Sequence, residues 1–122
     1  MSDGGAAALK IKAQVLAGDV IAIGPGKARL LEEIERSGSI AAAGRSLGIS
    51  YRRTRDMIDI LNSAWGAPLI ETAKGGASGG GSRLTAHGQA VLAAYRRLDV
   101  ALQDAAAAHA DDLIGLMAGA ER

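Results

Sequence analysis

Residues 37–61 read SGSIAAAGRSLGISYRRTRDMIDIL, and this stretch decides the fold. Ser39 can cap a helix over residues 40–47, because its hydroxyl accepts a hydrogen bond from an orphan backbone N–H. Gly48 can end that helix in the left-handed conformation. Ser50 is then positioned to cap a second helix over residues 51–62. The pattern therefore predicts two helices joined by a tight turn, and the small residues 41–44 let the first helix approach the second closely.

The second helix has an apolar side and a basic side. The apolar side follows the i, i+3, i+4, i+7 spacing and consists of Thr54, Met57, Ile58 and Leu61. Arg52 and Asp56 point most directly away from that side. Arg53 and Arg55 flank them. Such a helix is typical of a helix-turn-helix that inserts into a DNA major groove. This stretch alone leaves open an ordinary helical hairpin with a solvated basic face.

The N-terminal part of the chain predicts strands followed by a helix. Residues 9–16 (LKIKAQVL) alternate apolar and polar side chains, and residues 20–23 (VIAI) follow a Gly-Asp break, so we expect a strand or a hairpin. Gly24-Pro25-Gly26 stops the strand, and residues 27–36 form the next helix, whose buried stripe is Leu30, Leu31 and Ile34. A phosphate-binding loop would need Gly at position 21 and Ser or Thr at position 28, where this chain has Ile21 and Ala28.

Residues 69–85 predict a β-wing directly after the two central helices. A strand over residues 69–74 leads to the tip GGASGGGS (residues 75–82), and residues 83–85 return as a strand. A tip with almost no side chains can lie on a phosphate backbone or enter a minor groove. A Gly/Ser loop without a ligand is the alternative on composition alone. The predicted phosphate contacts are Ser39, Arg45, Ser50, Tyr51, Lys74, Gly75, Gly76, Ser78, Gly79, Gly80, Gly81, Ser82 and Arg83.

A long helix capped by Thr85 is expected from residue 86 to about 110, and as far as 117 if its stripe continues. Apolar and small residues recur by fours and threes, which suits a partner helix. The predicted dimerisation residues are Val91, Tyr95, Leu98, Leu102, Ala105, His109, Leu113 and Leu116. Packing on the chain's own core is the alternative, and we expect it for the first half of this helix. Beyond about Leu102 a second copy is the preferred partner.

Charge and composition favour a polyanion partner and offer no catalytic set. Residues 36–97 hold nine Lys/Arg and three Asp/Glu, a net +6, whereas residues 98–122 carry a net −4. The 122-residue chain has no cysteine, and His87 and His109 have no matching carboxylate cluster. We therefore expect no enzyme, metal site or cofactor. Without a secretory signal or a membrane-length apolar run, we expect a cytoplasmic protein.

These residues resemble a known family. SGSIAAAGRSLGISYRRTRDMIDILN, followed by PLIETAKGGASGGGSRLTAHGQAVLAAY, is similar to the N-terminal DNA-binding domain of ModE-type, molybdate-responsive transcriptional regulators, which is akin to that of LysR-type regulators. The resemblance covers roughly residues 24–95. It implies a dimeric DNA-binding transcription factor of bacterial type, with its recognition helix at residues 50–62. Full-length members add a C-terminal oxyanion-binding module; this chain stops at Arg122, so we expect no molybdate binding by it.

Together the patterns predict a mainly α protein with a small β component. A disordered N-terminus (residues 1–8) precedes a winged helix-turn-helix domain (9–85), a long dimerisation helix (86–117) and a tail (118–122). We expect a homodimeric, sequence-specific regulator that binds double-stranded DNA at a palindromic operator. Arg52, with Arg53 or Arg55, would reach guanine edges, and Asp56 would accept from a cytosine amino group or restrain Arg52. The alternative is a winged-helix protein–protein module that dimerises without binding DNA.

Overall fold

The structure is a computed structural model that describes residues 6–73 and 81–117, which form four helices and four short strands. In chain order they are β1 (Val15–Ala17), β2 (Val20–Ile23), α1 (Pro25–Ser37), α2 (Ile40–Leu47), α3 (Tyr51–Ser63), β3 (Ile70–Thr72), β4 (Ser82–Leu84) and α4 (Ala86–Ile114). Each pair of successive strands makes a separate two-stranded antiparallel sheet. The winged helix-turn-helix class predicted from the sequence is confirmed.

The N-terminal hairpin is shorter than the predicted strand over residues 9–16. Only Val15–Ala17 pairs with β2, with Val15 opposite Ile23 and Ala17 opposite Val20. The reason is that β2 ends at Ile23, because α1 begins at Pro25, so residues 9–14 have no partner strand among the described residues. Alternation of apolar side chains predicts a face, but a strand also needs a neighbour for its backbone groups.

Helix α1 begins two residues before the predicted start. Pro25 occupies its first turn, where a missing N–H costs nothing and the fixed φ suits a helix. The helix ends at Gly38, whose φ of 73° is left-handed and whose N–H donates to the Ile34 carbonyl at 2.8 Å. Leu30, Leu31 and Ile34 are fully buried, as predicted.

The two central helices have the predicted bounds to within one residue at the end of α3. The Ser39 hydroxyl accepts from the Ala42 N–H, and the Ser50 hydroxyl accepts from the Arg53 N–H, each at 3.0 Å. Gly44 allows the close approach, because a Cβ built on it would collide with the side chain of Thr54. The Thr54 hydroxyl in turn donates to the Ser50 carbonyl at 2.8 Å.

A single amide side chain joins α3 to the wing. The Asn62 Oδ1 accepts from the backbone N–H groups of Leu69 and Ile70, both at 2.9 Å. Nearby, the Trp65 indole donates to the Ala22 carbonyl at 3.1 Å, which ties the end of α3 to β2. These contacts fix the position of the wing relative to the end of α3. The role of Asn62 was not predicted from the sequence.

The wing strands are shorter than predicted: β3 is Ile70–Thr72 and β4 is Ser82–Leu84. Their register pairs Ile70 with Leu84 and Thr72 with Ser82. Lys74 and most of the predicted tip (residues 75–80) lie outside the described residues. The wing prediction is therefore supported by the paired strands at its base.

Helix α4 is anchored at its start and ends at Ile114, between the two predicted ends. The Thr85 hydroxyl caps it by accepting from the Gly88 N–H at 2.9 Å, and donates to the Pro68 carbonyl at 2.8 Å. Gly88 packs directly on Leu69, so that a Cβ there would overlap the Leu69 carbonyl.

One hydrophobic core joins the hairpin, the helices and the wing base. The largest apolar side chains with almost no exposure are Ile23, Leu30, Leu31, Ile34, Ile58, Leu61, Leu69 and Leu92. The last residue of α4 in this core is Tyr95. None of the described helices combines the length and the apolar character needed to cross a membrane. The core thus holds α3 with its basic side facing solvent. The part of α4 after Tyr95 does not contribute to this core.

Candidate nucleic-acid interface

The solvent side of α3 carries the predicted base-contact residues. Thr54, Ile58 and Leu61 are buried beneath the helix, and Met57 is half-buried rather than fully buried. The side chains on the outer side are all exposed: Arg52, Arg53, Arg55 and Asp56. The spacing of the apolar residues thus predicted correctly which side of α3 is buried. The basic side of the helix is accessible to a ligand.

Of the six described arginines outside α3, three form ion pairs with carboxylates and three (Arg29, Arg45 and Arg97) do not. Arg36 pairs with Glu33, Arg83 lies 2.5 Å from Glu71, and Arg96 lies 3.0 Å from Glu32. No ion pair in residues 6–73 and 81–117 includes an arginine of α3. One prediction for Asp56 was that it restrains Arg52. The two side chains make no ion pair in this structure. The donors of the α3 arginines are therefore not engaged by carboxylates of the described residues.

Arg53 occupies a different position from Arg52 and Arg55. It lines a cleft with Met57 and with Lys27 from the first turn of α1. Partial burial, reinforced by the nearby Arg53 guanidinium, holds the pKa of the Lys27 ammonium below its usual value. Two cations therefore face each other beside the outer surface of α3, an arrangement that sequence spacing could not reveal.

The predicted phosphate contacts of α2 and α3 divide into caps and exposed side chains. The hydroxyl oxygens of Ser39 and Ser50 already accept helix N–H groups, so each fixes a helix start. Arg45 and Tyr51 are exposed, Tyr51 by 61%. The N-terminus of α3 thus presents a polar, uncovered edge that suits a phosphate.

At the base of the wing, one predicted phosphate contact is buried. Ser82 was predicted to contact phosphate, yet it is only 8% exposed and its hydroxyl lies 3.3 Å from the Thr72 hydroxyl. Its N–H donates to the Gly38 carbonyl at 2.8 Å, which holds the wing against the end of α1. Gly81 and Arg83 remain exposed. The other predicted tip contacts (Lys74, Gly75, Gly76, Ser78, Gly79 and Gly80) lie outside the described residues.

The predicted dimerisation residues also divide into two groups. Val91 and Tyr95 lie in the chain's own core, 9% and 8% exposed, and the Tyr95 hydroxyl donates to the Ala13 carbonyl at 2.9 Å. Burial leaves these two side chains little surface for a partner, so the prediction that they contact a second copy is corrected. The remaining positions are exposed or half-buried: Leu98, Leu102, Ala105, His109, Leu113 and Leu116.

The histidines occupy structural and surface positions. A ring nitrogen of His87 lies 2.9 Å from the Trp65 carbonyl, so this side chain links α4 to the end of α3. His109 is exposed on α4. Within the described ranges, no group of three His, Cys, Asp or Glu side chains is arranged to hold a metal ion. The chemistry that the surface offers is therefore hydrogen bonding and positive charge from α3 and its surroundings.

A basic α3, a turn set by Gly48 and a paired wing define a helix-turn-helix protein. The model of the bacterial regulatory helix-turn-helix proteins of the lysR family matches residues 26–89, more than half of the chain. The chain belongs to this family.

Curated relatives agree with the ModE-type resemblance. The chain is 43% identical over 83 residues to the molybdenum-pterin-binding protein MopA of Rhodobacter capsulatus, covering 68% of this chain and 31% of that protein. It is 43% identical over 77 residues to the molybdenum transport protein ModE of Azotobacter vinelandii (63% and 28%). It is 38% identical over 88 residues to the DNA-binding transcriptional dual regulator ModE of Escherichia coli K12 (72% and 34%). The chain spans about a third of the length of these relatives.

Proposed function

We propose that this protein is a homodimeric, sequence-specific DNA-binding transcriptional regulator. Its recognition helix, residues 50–62, enters the major groove, and its Gly-rich wing, residues 74–83, lies on the backbone or in the minor groove. Membership of the helix-turn-helix family and the likeness to a DNA-binding regulator support this proposal. DNA is the expected partner, and the function needs no catalytic group.

The exposed basic side of α3 carries the proposal. Its three arginines lie close together, are exposed and have no carboxylate partner among the described residues, whereas half of the described arginines outside α3 have one. Long charged side chains held on a rigid, buried helix can pair bidentately with guanine at its O6 and N7 atoms. Arg52 and Arg55 are the proposed base-reading residues, and Asp56 is the proposed acceptor for a cytosine amino group.

Backbone contacts would then fix the register of α3 in the groove. The exposed side chains suited to phosphate are Arg45 and Tyr51 beside the start of α3, together with Arg83 of the wing. Lys74, which lies outside the described residues, is proposed as a further phosphate contact from the sequence. Arg83 must exchange its surface pairing with Glu71, which costs little because exposed ion pairs are weak. These contacts position the protein without reading sequence.

Homodimerisation through the distal part of α4 completes the proposal. The whole helix is 29 residues, about 43 Å long, and residues 96–114 extend beyond the core. Leu98, Leu113 and Leu116 are 41%, 64% and 84% exposed, an arrangement that a partner helix would cover. A two-fold dimer would present two copies of α3 to half-sites about one DNA turn apart, or a multiple of it, which favours a palindromic operator.

Selection of bound sequences from random duplex DNA tests the function, followed by affinity measurements on the selected site and on scrambled duplexes. Arg52→Ala is expected to relax the preference at one base pair and to cost roughly 1–3 kcal/mol on the selected site. Lys74→Ala is expected to weaken all sequences alike and to reduce the salt dependence.

Arg97→Ala is the matched control, because this exposed arginine lies on α4 and is not among the proposed DNA contacts. It is expected to leave base preference unchanged. The proposal is wrong if the protein has no affinity for duplex DNA at low salt, the result that a protein–protein module predicts. A selected site that Arg52→Ala reads as well as the wild type would instead show that the base-reading residues are misplaced.

A further inference from the structure

A basic cleft of about 260 Å³ lies between the start of α1, the segment before β1 and the flank of α3. Each of these elements brings one cation to it: Lys27, Lys12 and Arg53. Its other lining residues are neutral, such as Gln14 and Met57, and no acidic side chain lines it. Three positive charges thus share one concave site without an anionic neighbour in its wall.

The fold holds these cations together at an energetic cost. Lys27 is half-buried, and its pKa is lowered first by burial and then by the positive charge of Arg53. None of the three cations forms an ion pair within the described residues. Repulsion of this kind is relieved when an anion enters the cleft, because each cation then gains an opposite charge at close range.

The backbone at the cleft adds donors to these side chains. Gly24 precedes α1 and has no side chain to cap the first N–H groups, and no side-chain hydrogen bond caps them. The space beside Gly26 is open, since a Cβ built there would meet nothing closer than the Met57 methyl at 3.9 Å. The N–H groups of Gly26 and Lys27 belong to the first turn, which has no intrahelical acceptors for them.

From these observations we infer that the cleft binds one phosphate of the DNA backbone, held by Lys12, Lys27 and Arg53, beside the groove that receives α3. A phosphodiester supplies a single negative charge and two unbridged oxygen acceptors, which match the cations and the N–H groups. Arg53 shares α3 with Arg52, so the phosphate would flank the base pairs being read. This inference rests on the proposed function, and it makes Arg53 a backbone contact rather than a base contact.

The salt dependence of DNA affinity tests the cleft. The slope of log K against log salt is negative, and Lys27→Gln and Lys12→Gln are each expected to make it less steep by about 0.9. The factor by which affinity falls between about 50 and 200 mM salt should then be about threefold smaller than for the wild type. Base preference is expected to stay unchanged in both variants. Lys27→Arg keeps the charge and should keep the wild-type slope.

Arg29→Gln is the matched control, because it removes one charge from another side of the same helix, where Arg29 faces a separate cleft with Glu32 and Arg96. If the slopes of Lys27→Gln and Arg29→Gln are equal while Arg52→Ala still relaxes base preference, the inference is wrong and the proposed function stands. If the wild type does not bind duplex DNA, both fail together.

A titration of the wild type with inorganic phosphate separates the two sources of the anion. Amide NMR shifts of Gly26 and Lys27 that saturate with phosphate, together with a DNA salt slope unchanged by Lys27→Gln, would identify a small-anion site and overturn the assignment to the DNA backbone. Shifts of the same amides on adding DNA, with the slope reduced as expected, would support it.

Discussion

The two halves of α4 share one helix and one spacing of apolar residues, but the protein uses them differently. Up to Tyr95 the helix is part of the core, with Val91 and Leu92 buried and Gly88 seated on Leu69. After Tyr95 no residue of the helix belongs to that core, and Leu113 and, just beyond the helix end, Leu116 are largely exposed. The spacing of the apolar residues is continuous across this boundary.

This difference shows what a helical stripe can and cannot indicate. A stripe establishes that one side of the helix prefers to leave water, because exposed apolar area is unfavourable. It does not identify what covers that side. Among the described residues the buried core ends at Tyr95, so the apolar residues of the distal half remain available for the proposed dimer.

The largest effect is expected from a substitution in the distal half. Leu113→Gln should weaken the dimer by about 3 kcal/mol, on the order of a hundredfold in Kd, because a two-fold interface loses the same buried side chain twice. The monomer should remain folded, since Leu113 is 64% exposed in the single chain. Sedimentation equilibrium measures the Kd, and circular dichroism checks the fold.

Ala107→Gln is the control for this prediction, because Ala107 is exposed on the same half of α4 but is not one of the predicted dimerisation residues. It should leave the Kd nearly unchanged. A Leu113→Gln protein that dimerises as tightly as the wild type, or a wild type that stays monomeric at high concentration, would remove α4 from the dimer proposal.

The next effect is expected in the proximal half, where Gly88→Ala should lower the free energy of unfolding by about 2–3 kcal/mol. The added Cβ would overlap the Leu69 carbonyl, and a backbone atom cannot move aside as a flexible side chain can. Urea unfolding measures the change. Gly26→Ala is the matched control: its Cβ meets only the Met57 methyl, so it should be neutral or stabilise the helix by up to about 1 kcal/mol. Equal losses in both variants would contradict the packing argument.

Local chemistry explains why much of the fold was predictable from the sequence. The caps Ser39, Ser50 and Thr85 act on N–H groups within three residues of themselves, and a glycine such as Gly48 needs only its own left-handed φ. Such features are written in short stretches of chain, so the starts of α2, α3 and α4 were predicted correctly.

The features that were missed depend on residues far apart in the chain. The strand over residues 9–16 was predicted too long because pairing depends on where β2 ends. Asn62 accepts hydrogen bonds from the backbone of Leu69 and Ile70, which requires the chain to turn back after α3. The meeting of Lys27 with Arg53 likewise depends on how α1 packs on α3. Spacing along one helix carries no information about such contacts.

A smaller effect is expected at the boundary between the two halves of α4. Tyr95→Phe removes the hydrogen bond from the phenol hydroxyl to the Ala13 carbonyl and keeps the ring in the core. The free energy of unfolding should fall by about 1 kcal/mol, and the dimer Kd should not change, because this residue serves the chain's own core. Urea unfolding and sedimentation equilibrium together test both statements. A weaker dimer would show that Tyr95 contributes to the dimer interface after all.

The smallest effect is a dependence on alkaline pH. Burial, followed by the nearby Asp99 carboxylate, raises the pKa of Tyr95, so the folded protein keeps a proton that the unfolded chain loses near pH ~10. The folded state then binds more protons, and the stabilisation by Tyr95 is lost as pH rises from about 10 through the folded pKa. The pKa of Lys27 is lowered, so the folded state binds fewer protons at this residue and its contribution to stability rises with pH. The stability difference between wild type and Tyr95→Phe should therefore narrow above pH ~10 in urea unfolding, whereas a constant difference would contradict the raised pKa.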